Sequence, residues 1–216
     1  MRTINRKGRR KKNATGFTLI EIMIVLILAG VTVSAIYTFL GKQRKQSVSQ
    51  RLRADVESMS QISFFIIGRD IRRAGSDPRG ILRGGTKWGI PLAEATPTRL
   101  RIQADLNANG VIDPSPPTDE DIIYEFVDDS IKPDGVPDQI KRQAGDQLVI
   151  ENVRAFQLKY QYGTTGLWVD QPPGGDLPFI KTVSMRLVAG TGRTNPNTGV
   201  EDTKEIKMNI RLRNYQ

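Results

Sequence analysis

Gly16-Phe-Thr-Leu-Ile-Glu21 opens the stretch that decides the organisation of this chain, and an apolar run continues from it to Leu40. Residues 17–40 carry a single charge, on Glu21. A helix of this length spans roughly 36 Å, which is enough to cross a bilayer. An ionised carboxylate inside such a segment costs several kcal/mol unless a partner neutralises it. Glu21 is therefore a candidate functional residue.

The first 16 residues form a basic leader in front of this run. The leader contains seven of the chain's 32 basic residues and no acidic residue. The formal net charge of +9 therefore falls to +2 over the remainder, which holds 25 basic and 23 acidic residues. A positive flank beside an apolar span stays cytoplasmic, so the later residues are expected on the other side of the membrane. The nearly balanced remainder gives no reason to expect nucleic-acid binding.

The chain has no cysteine and no histidine among its 216 residues. This composition excludes disulfides, thiolate nucleophiles, Ser-His-Asp triads and zinc sites with sulfur or imidazole ligands. The length allows one membrane segment and one medium-sized domain.

Helical periodicity continues beyond Gly41, and no proline occurs before Pro78. One long helix is therefore predicted from Phe17 to about Arg73, with Gly75-Ser-Asp-Pro-Arg-Gly80 ending it. Its second half is amphipathic, which predicts that one apolar stripe packs on a domain. The predicted stripe is Val48, Leu52, Val56, Met59, Ile62, Ile66 and Ile71.

The remainder alternates apolar and polar residues with the period of β-strands. The predicted strands are Arg99–Ala104, Ile122–Val127, Ala155–Tyr162, Thr182–Val188 and Glu205–Arg213. The connection 189–203 is rich in Gly, Asn and Thr, and it is predicted to be an exposed, mobile loop. A helix followed by strands predicts an α+β fold, with an antiparallel sheet packed on the amphipathic half of the helix. Four segments result: a leader at 1–16, a hydrophobic helix at 17–41, an amphipathic helix at 42–75 and a β-rich head at 76–216.

A second pattern begins at Asp105 and has the spacing of an EF-hand-like calcium loop. Its candidate ligands are Asp105, Asn107, Asn109, the carbonyl of Val111, and Asp113, with a glycine at position 110. Pro116 stands where such loops carry a bidentate glutamate, so Asp119, Glu120 or Asp121 would have to fold back. Calcium is thus a possible cofactor, of weak affinity because only two carboxylates are certain. The alternative is an Asx-rich turn without metal.

Gly16-Phe-Thr-Leu-Ile-Glu21, behind a basic leader and ahead of a hydrophobic helix, resembles the prepilin signal of type IV pilins and type II secretion pseudopilins. The resemblance implies that a prepilin peptidase cuts between Gly16 and Phe17 and N-methylates Phe17. It also implies that Glu21 pairs with the amino group of Phe17 on a neighbouring subunit, which sets the register of assembly.

The resemblance further implies a structural, non-enzymatic subunit. The protein would be anchored in the bacterial inner membrane by a single span, with its head in the periplasm, and would then reach the pilus and the cell surface. Its implied partners are the peptidase and other minor and major pilins, or pseudopilins.

The branch of this family is indicated by what the chain lacks. It has neither a proline in the hydrophobic segment nor a C-terminal cysteine pair. These two absences, together with the stretch 64–75, make the chain most similar to a PilW-type minor pilin. The resemblance implies a role in pilus assembly at the tip, in adhesion or in motility. A J-type pseudopilin of type II secretion is closely similar and remains an alternative. A signal-anchored periplasmic calcium-binding domain without a filament is the third.

Overall fold

A computed structural model describes residues 16–79, 91–113, 119–128, 137–142, 147–163 and 166–213. The predicted leader, apart from Gly16, lies outside these residues, as does Pro116. The chain divides into two compact units between Gln46 and Ser47. The four predicted segment boundaries stay predictions.

The long helix is confirmed: α1 runs from Leu19 to Arg73. Its end follows from Gly75, which adopts a left-handed φ of 69° and donates its backbone N–H to Gln103 O at 2.8 Å. A Cβ at this position would lie 2.7 Å from Pro91 Cγ, so both the backbone and the space require glycine. The predicted stop is therefore confirmed at its first residue.

The first sheet follows α1 and is an antiparallel meander in which each strand pairs with the next. Its strands are β1 (Leu92–Ala95), β2 (Arg99–Gln103), β3 (Asp121–Val127), β4 (Gln139–Arg142) and β5 (Gln147–Ile150). Alternate residues of β2 and β3 are buried, as the period-two pattern predicts.

The second sheet is also antiparallel, in the order β7-β6-β8-β9. Its strands are β6 (Val153–Tyr162), β7 (Trp168–Val169), β8 (Ile180–Thr194) and β9 (Glu201–Arg211), and a 3-10 helix (Gly174–Phe179) precedes β8. The α+β prediction is confirmed. Its strands divide between two antiparallel sheets because the chain leaves the first sheet at β5 and pairs β6 with β8 instead.

One hydrophobic core joins the second half of α1 to both sheets. The helix contributes Val56, Phe64, Ile67 and Ile71. Hydrogen bonds also link the sheets: Leu158 N–H donates to Pro97 O at 2.8 Å, and the Tyr160 hydroxyl donates to Thr96 O at 2.7 Å.

The predicted helical stripe is wrong in part. Val48, Met59 and Ile62 are about half exposed. The buried face instead includes Ser49, Ser60, Ser63 and Gly68, whose small side chains let the helix backbone approach the sheets closely. Predicting the stripe from apolar residues alone therefore selected part of the wrong face.

The prediction of a mobile loop at 189–203 is also wrong. β8 continues to Thr194 and β9 begins at Glu201, so a short connection joins two long paired strands. Asn195, in this connection, is 1% exposed and donates from Nδ2 to Ser49 Oγ of α1 at 2.8 Å. The polar side chain of Asn195 therefore forms a buried hydrogen bond instead of contacting solvent.

Candidate processing, assembly and metal sites

The predicted processing site lies at the start of α1. Gly16, Phe17 and Thr18 precede the helix, and all three are exposed. Thr18 caps the helix, because its Oγ1 accepts the backbone N–H of Glu21 at 3.3 Å and its carbonyl accepts the same N–H at 3.1 Å. Sequence analysis missed Thr18, although the Thr-x-x-Glu spacing of a capping box signals it.

The apolar run of the first unit is exposed along its whole length, from Leu19 to Leu40. The helix is long and apolar enough to cross a membrane by length and composition. Its two threonines at positions 32 and 38 donate their hydroxyls to the carbonyls of Leu28 and Ser34 at 2.8 and 2.9 Å. These polar groups are therefore satisfied inside the helix, as a lipid environment requires. Glu21 is the one charged side chain in the run.

The candidate calcium loop is closed by its own hydrogen bonds. The carboxylate of Asp105 is buried and accepts the backbone N–H groups of Asn109 and Gly110 at 3.2 and 2.9 Å. The side-chain amides of Asn107 and Asn109 both donate to Asp113 Oδ2, at 3.1 and 3.0 Å. The structure thus brings four predicted ligand side chains into one loop.

Glu120 is the carboxylate that folds back on this loop. It is 1% exposed, and its oxygens accept the backbone N–H groups of Leu106, Asn107 and Asp113 at 2.9, 3.0 and 2.9 Å. The other two candidates pair elsewhere, Asp119 with Arg142 and Asp121 with Arg101. Among the described residues, no group of three carboxylates forms a metal site by itself, so amide and carbonyl oxygens would have to contribute.

A buried ionic cluster that sequence analysis missed surrounds Asp70. This residue is fully buried and accepts the Tyr124 hydroxyl at 2.6 Å. Arg73 lies 3.3 Å from its Oδ1, and the Nε of Arg142, a residue that is 5% exposed, lies 3.6 Å from its Oδ2. An aspartate between Ile67 and Ile71, at core-facing helical spacing, is the signal that could have revealed it. The cluster joins α1 to β3 and β4.

Two buried tyrosines are expected to make the folded state less stable at high pH. Burial, and then the charge of Asp70, raises the pKa of Tyr124 far above its ordinary value, and burial does the same for the pKa of Tyr160. Since the folded state binds these protons more tightly, their contribution to stability is present below about pH 10 and is lost as the pH rises above it.

We therefore expect these two tyrosines to ionise together with unfolding. Tyrosinate absorbance and circular dichroism, recorded on one sample through an alkaline titration, test this expectation. The Tyr124→Phe variant should lose part of the absorbance change that accompanies unfolding. Ionisation of Tyr124 while the circular dichroism remains native would contradict the expectation.

Polar contacts also fix the β8–β9 hairpin on α1. Arg53 donates from Nε to Asp202 Oδ2 at 3.0 Å, and Lys204 Nζ lies 2.6 Å from Glu57 Oε2. The hydrogen bond from Arg53 lowers the pKa of Asp202, and that from Lys204 lowers the pKa of Glu57. Both pairs are exposed, so each adds little stability alone and they mainly set the position of the hairpin.

The N-terminal part of the chain is similar to a known protein family. Residues 11–37 match the family described as "Prokaryotic N-terminal methylation motif", which covers 27 of the 216 residues. No curated protein and no solved structure matches the chain. The matched segment contains Gly16, Phe17 and Glu21 and ends inside the exposed apolar run. The N-terminal motif is therefore that of a type IV pilin or pseudopilin precursor, which points to a structural protein that a membrane helix anchors.

Proposed function

We propose that the chain is the precursor of a minor pilin, a non-enzymatic subunit at or near the tip of a type IV pilus. The observation that carries this proposal is the methylation motif joined to an exposed apolar helix with one carboxylate near its start. In this function the apolar run first holds the subunit in the inner membrane, with the head in the periplasm. It then packs against other pilins, which replace the lipid.

Maturation is proposed to begin with hydrolysis of the Gly16–Phe17 peptide bond by a prepilin peptidase, followed by methylation of the new Phe17 amine. Apart from its chain neighbours, no described residue has an atom within 4 Å of the position that a Cβ on Gly16 would take. The packing of the described residues therefore gives no reason for glycine at position 16. Close approach of a second protein to the backbone gives one.

Assembly is proposed to depend on Glu21. Its carboxylate pairs with the Phe17 amine of a neighbouring subunit, so that the two charges neutralise each other where water is excluded. The exposed position of Glu21 leaves it accessible to such a partner.

Mass spectrometry of the protein from its own cells, after mild cross-linking, tests this function. An N-methylated Phe17 terminus with pilins attached is the expected result. The same terminus with type II secretion pseudopilins would transfer the protein to the J-type alternative. An intact Met1 terminus without pilin-like neighbours would overturn the proposal and leave the membrane-anchored calcium-binding domain.

Calcium binding by the loop 105–113 also stays a proposal. The supporting observation is that Asp105 accepts two backbone N–H groups of the loop, and that the side-chain amides of Asn107 and Asn109 both reach Asp113 Oδ2. A cation would displace the amide donors from Asp113, and it would compete with the backbone N–H groups of Asn109 and Val111 for the side-chain oxygens of Asn107 and Asn109.

Millimolar Ca²⁺ is expected to raise the melting temperature of the full chain in detergent. Ligand at ten times its dissociation constant adds about 1.4 kcal/mol, which is a rise of roughly 3–6 °C for a domain of this size. The Asp113→Asn variant keeps the side-chain volume, and it should lose the response. An equal rise with Mg²⁺, or no rise at all, would contradict calcium binding.

A further inference from the structure

A basic depression of about 310 Å³ lies beside the C-terminal end of α1. It is lined by Arg69, Arg72, Arg73, Ser76 and Arg213. The last of these comes from beyond β9 and is held beside the helix, because its backbone N–H donates to Arg72 O at 3.4 Å. Four guanidinium groups thus converge from two ends of the domain sequence.

Among the ion pairs of the described residues, the four arginines of this depression have one carboxylate between them, that of Asp70. Asp70 lies 3.1 Å from Arg69 and 3.3 Å from Arg73, and it is already shared with Arg142. Within the described parts of the chain, neither Arg72 nor Arg213 has a side-chain ion pair. The partial negative charge at the helix end offsets only about half a unit. Guanidinium groups whose charge is not neutralised bind oxyanions, and they bind carboxylates through two parallel hydrogen bonds.

A second, apolar depression of about 270 Å³ adjoins the first. Its lining includes Phe64, Phe65 and Met208, and it shares Arg72 with the basic depression. The Phe65 side chain is 65% exposed, although it is a large aromatic group. An exposed aromatic beside Arg72, which has no side-chain ion pair among the described residues, is the composition of an interface centre rather than of an ordinary solvated surface.

We propose that the two depressions together bind an acidic segment of a partner protein, with carboxylates on Arg72 and Arg213 and an apolar side chain on Phe65 and Met208. A free phosphate would use only the basic half, whereas a peptide with neighbouring acidic and apolar side chains fills both. The proposal concerns a surface of the 47–213 unit and does not depend on processing at Gly16.

A fluorescein-labelled tetrapeptide, Leu-Glu-Leu-Asp with an amidated C-terminus, is the probe. Its binding to the full chain in detergent micelles is followed by fluorescence anisotropy. The double variant Arg72→Gln, Arg213→Gln should weaken binding about tenfold or more, since it removes charged hydrogen-bond donors. The matched control Arg51→Gln, Arg193→Gln removes two exposed arginines elsewhere in the same unit and should bind as the unchanged chain does.

Two further comparisons separate a peptide site from a small-anion site. Phe65→Ala should weaken peptide binding, and inorganic phosphate should compete only at much higher concentration than unlabelled peptide. If the double variant does not fold, the single variants Arg72→Gln and Arg213→Gln are used in the same binding assay. Their melting temperatures show whether they are folded.

The proposal would be overturned if the unsubstituted chain did not bind the peptide, or if the control double variant lost as much affinity as the Arg72→Gln, Arg213→Gln variant. It would also be overturned if the neutral analogue Leu-Gln-Leu-Asn bound as tightly as the acidic peptide. The fourth contrary result is phosphate binding as tightly as the peptide, together with no effect of Phe65→Ala on peptide binding.

Discussion

Asp70→Ala is expected to lower the free energy of unfolding by about 3–5 kcal/mol, the largest stability effect of the substitutions considered. The carboxylate is fully buried and accepts the Tyr124 hydroxyl at 2.6 Å. Its removal leaves that hydroxyl without its acceptor. Among the described residues, it also leaves Asp119 as the remaining ion-pair partner of the buried Arg142. Denaturant unfolding of the full chain in mild detergent, followed by near-ultraviolet circular dichroism, measures the change.

Three variants separate the causes of that loss. Asp70→Asn keeps the volume and removes the charge, so it should lose most of the same free energy. Tyr124→Phe removes one hydrogen bond and should cost about 1–3 kcal/mol. Asp55→Ala removes an exposed carboxylate from the same helix, and we expect less than about 0.5 kcal/mol. If Asp70→Ala and Asp55→Ala unfolded alike, the cluster would not stabilise the fold.

Glu21→Ala is expected to leave peptidase cleavage at Gly16 largely intact and to reduce incorporation into filaments about a hundredfold. The reason is that the amine of a neighbouring Phe17 would be buried without its counter-charge. A charge in that environment costs about 2.5–3.5 kcal/mol, and each 1.4 kcal/mol is a factor of ten in the equilibrium. Immunoblots of sheared filaments and of membranes, normalised to each other, measure both quantities.

Thr18→Ala is the matched control for this prediction, because Thr18 and Glu21 also stand in the spacing of a capping box. If Glu21 acted only by stabilising the helix start, Thr18→Ala would impair assembly as much as Glu21→Ala. If the carboxylate charge matters, Glu21→Gln should fail and Thr18→Ala should assemble nearly normally. Normal piliation in Glu21→Ala would remove the assembly role altogether.

The helix and the five predicted strands could be read from the sequence because each depends on local periodicity. Gly75 stops α1 for a reason that is also local, since the chain requires a left-handed residue there. β1, β4, β5 and β7 were not predicted, because runs of two to four residues carry too little periodicity. Their pairing is determined by neighbouring strands rather than by their own residues.

The buried polar residues could not be assigned from spacing alone. Asn195 and Ser49 form a buried hydrogen bond across 146 positions of sequence. Asp70 meets Tyr124 across 54. A Gly- and Asn-rich segment predicts exposure in general, and only the tertiary partner reverses that prediction. The segment 105–113 was predicted as a loop because all its candidate ligands lie within nine consecutive residues, whereas the return of Glu120 depends on where β3 begins.

The contacts of the β8–β9 hairpin with α1 set an order of events for a newly made chain. The partners of Ser49, Arg53 and Glu57 lie at positions 195, 202 and 204, near the last described strand. Contacts between residues so far apart in sequence form slowly, because a long loop must close first. The part of the helix from Ser49 to Glu57 therefore gains these partners only after β9 has left the ribosome, whereas the part near Asp70 can pack on β3 and β4 earlier.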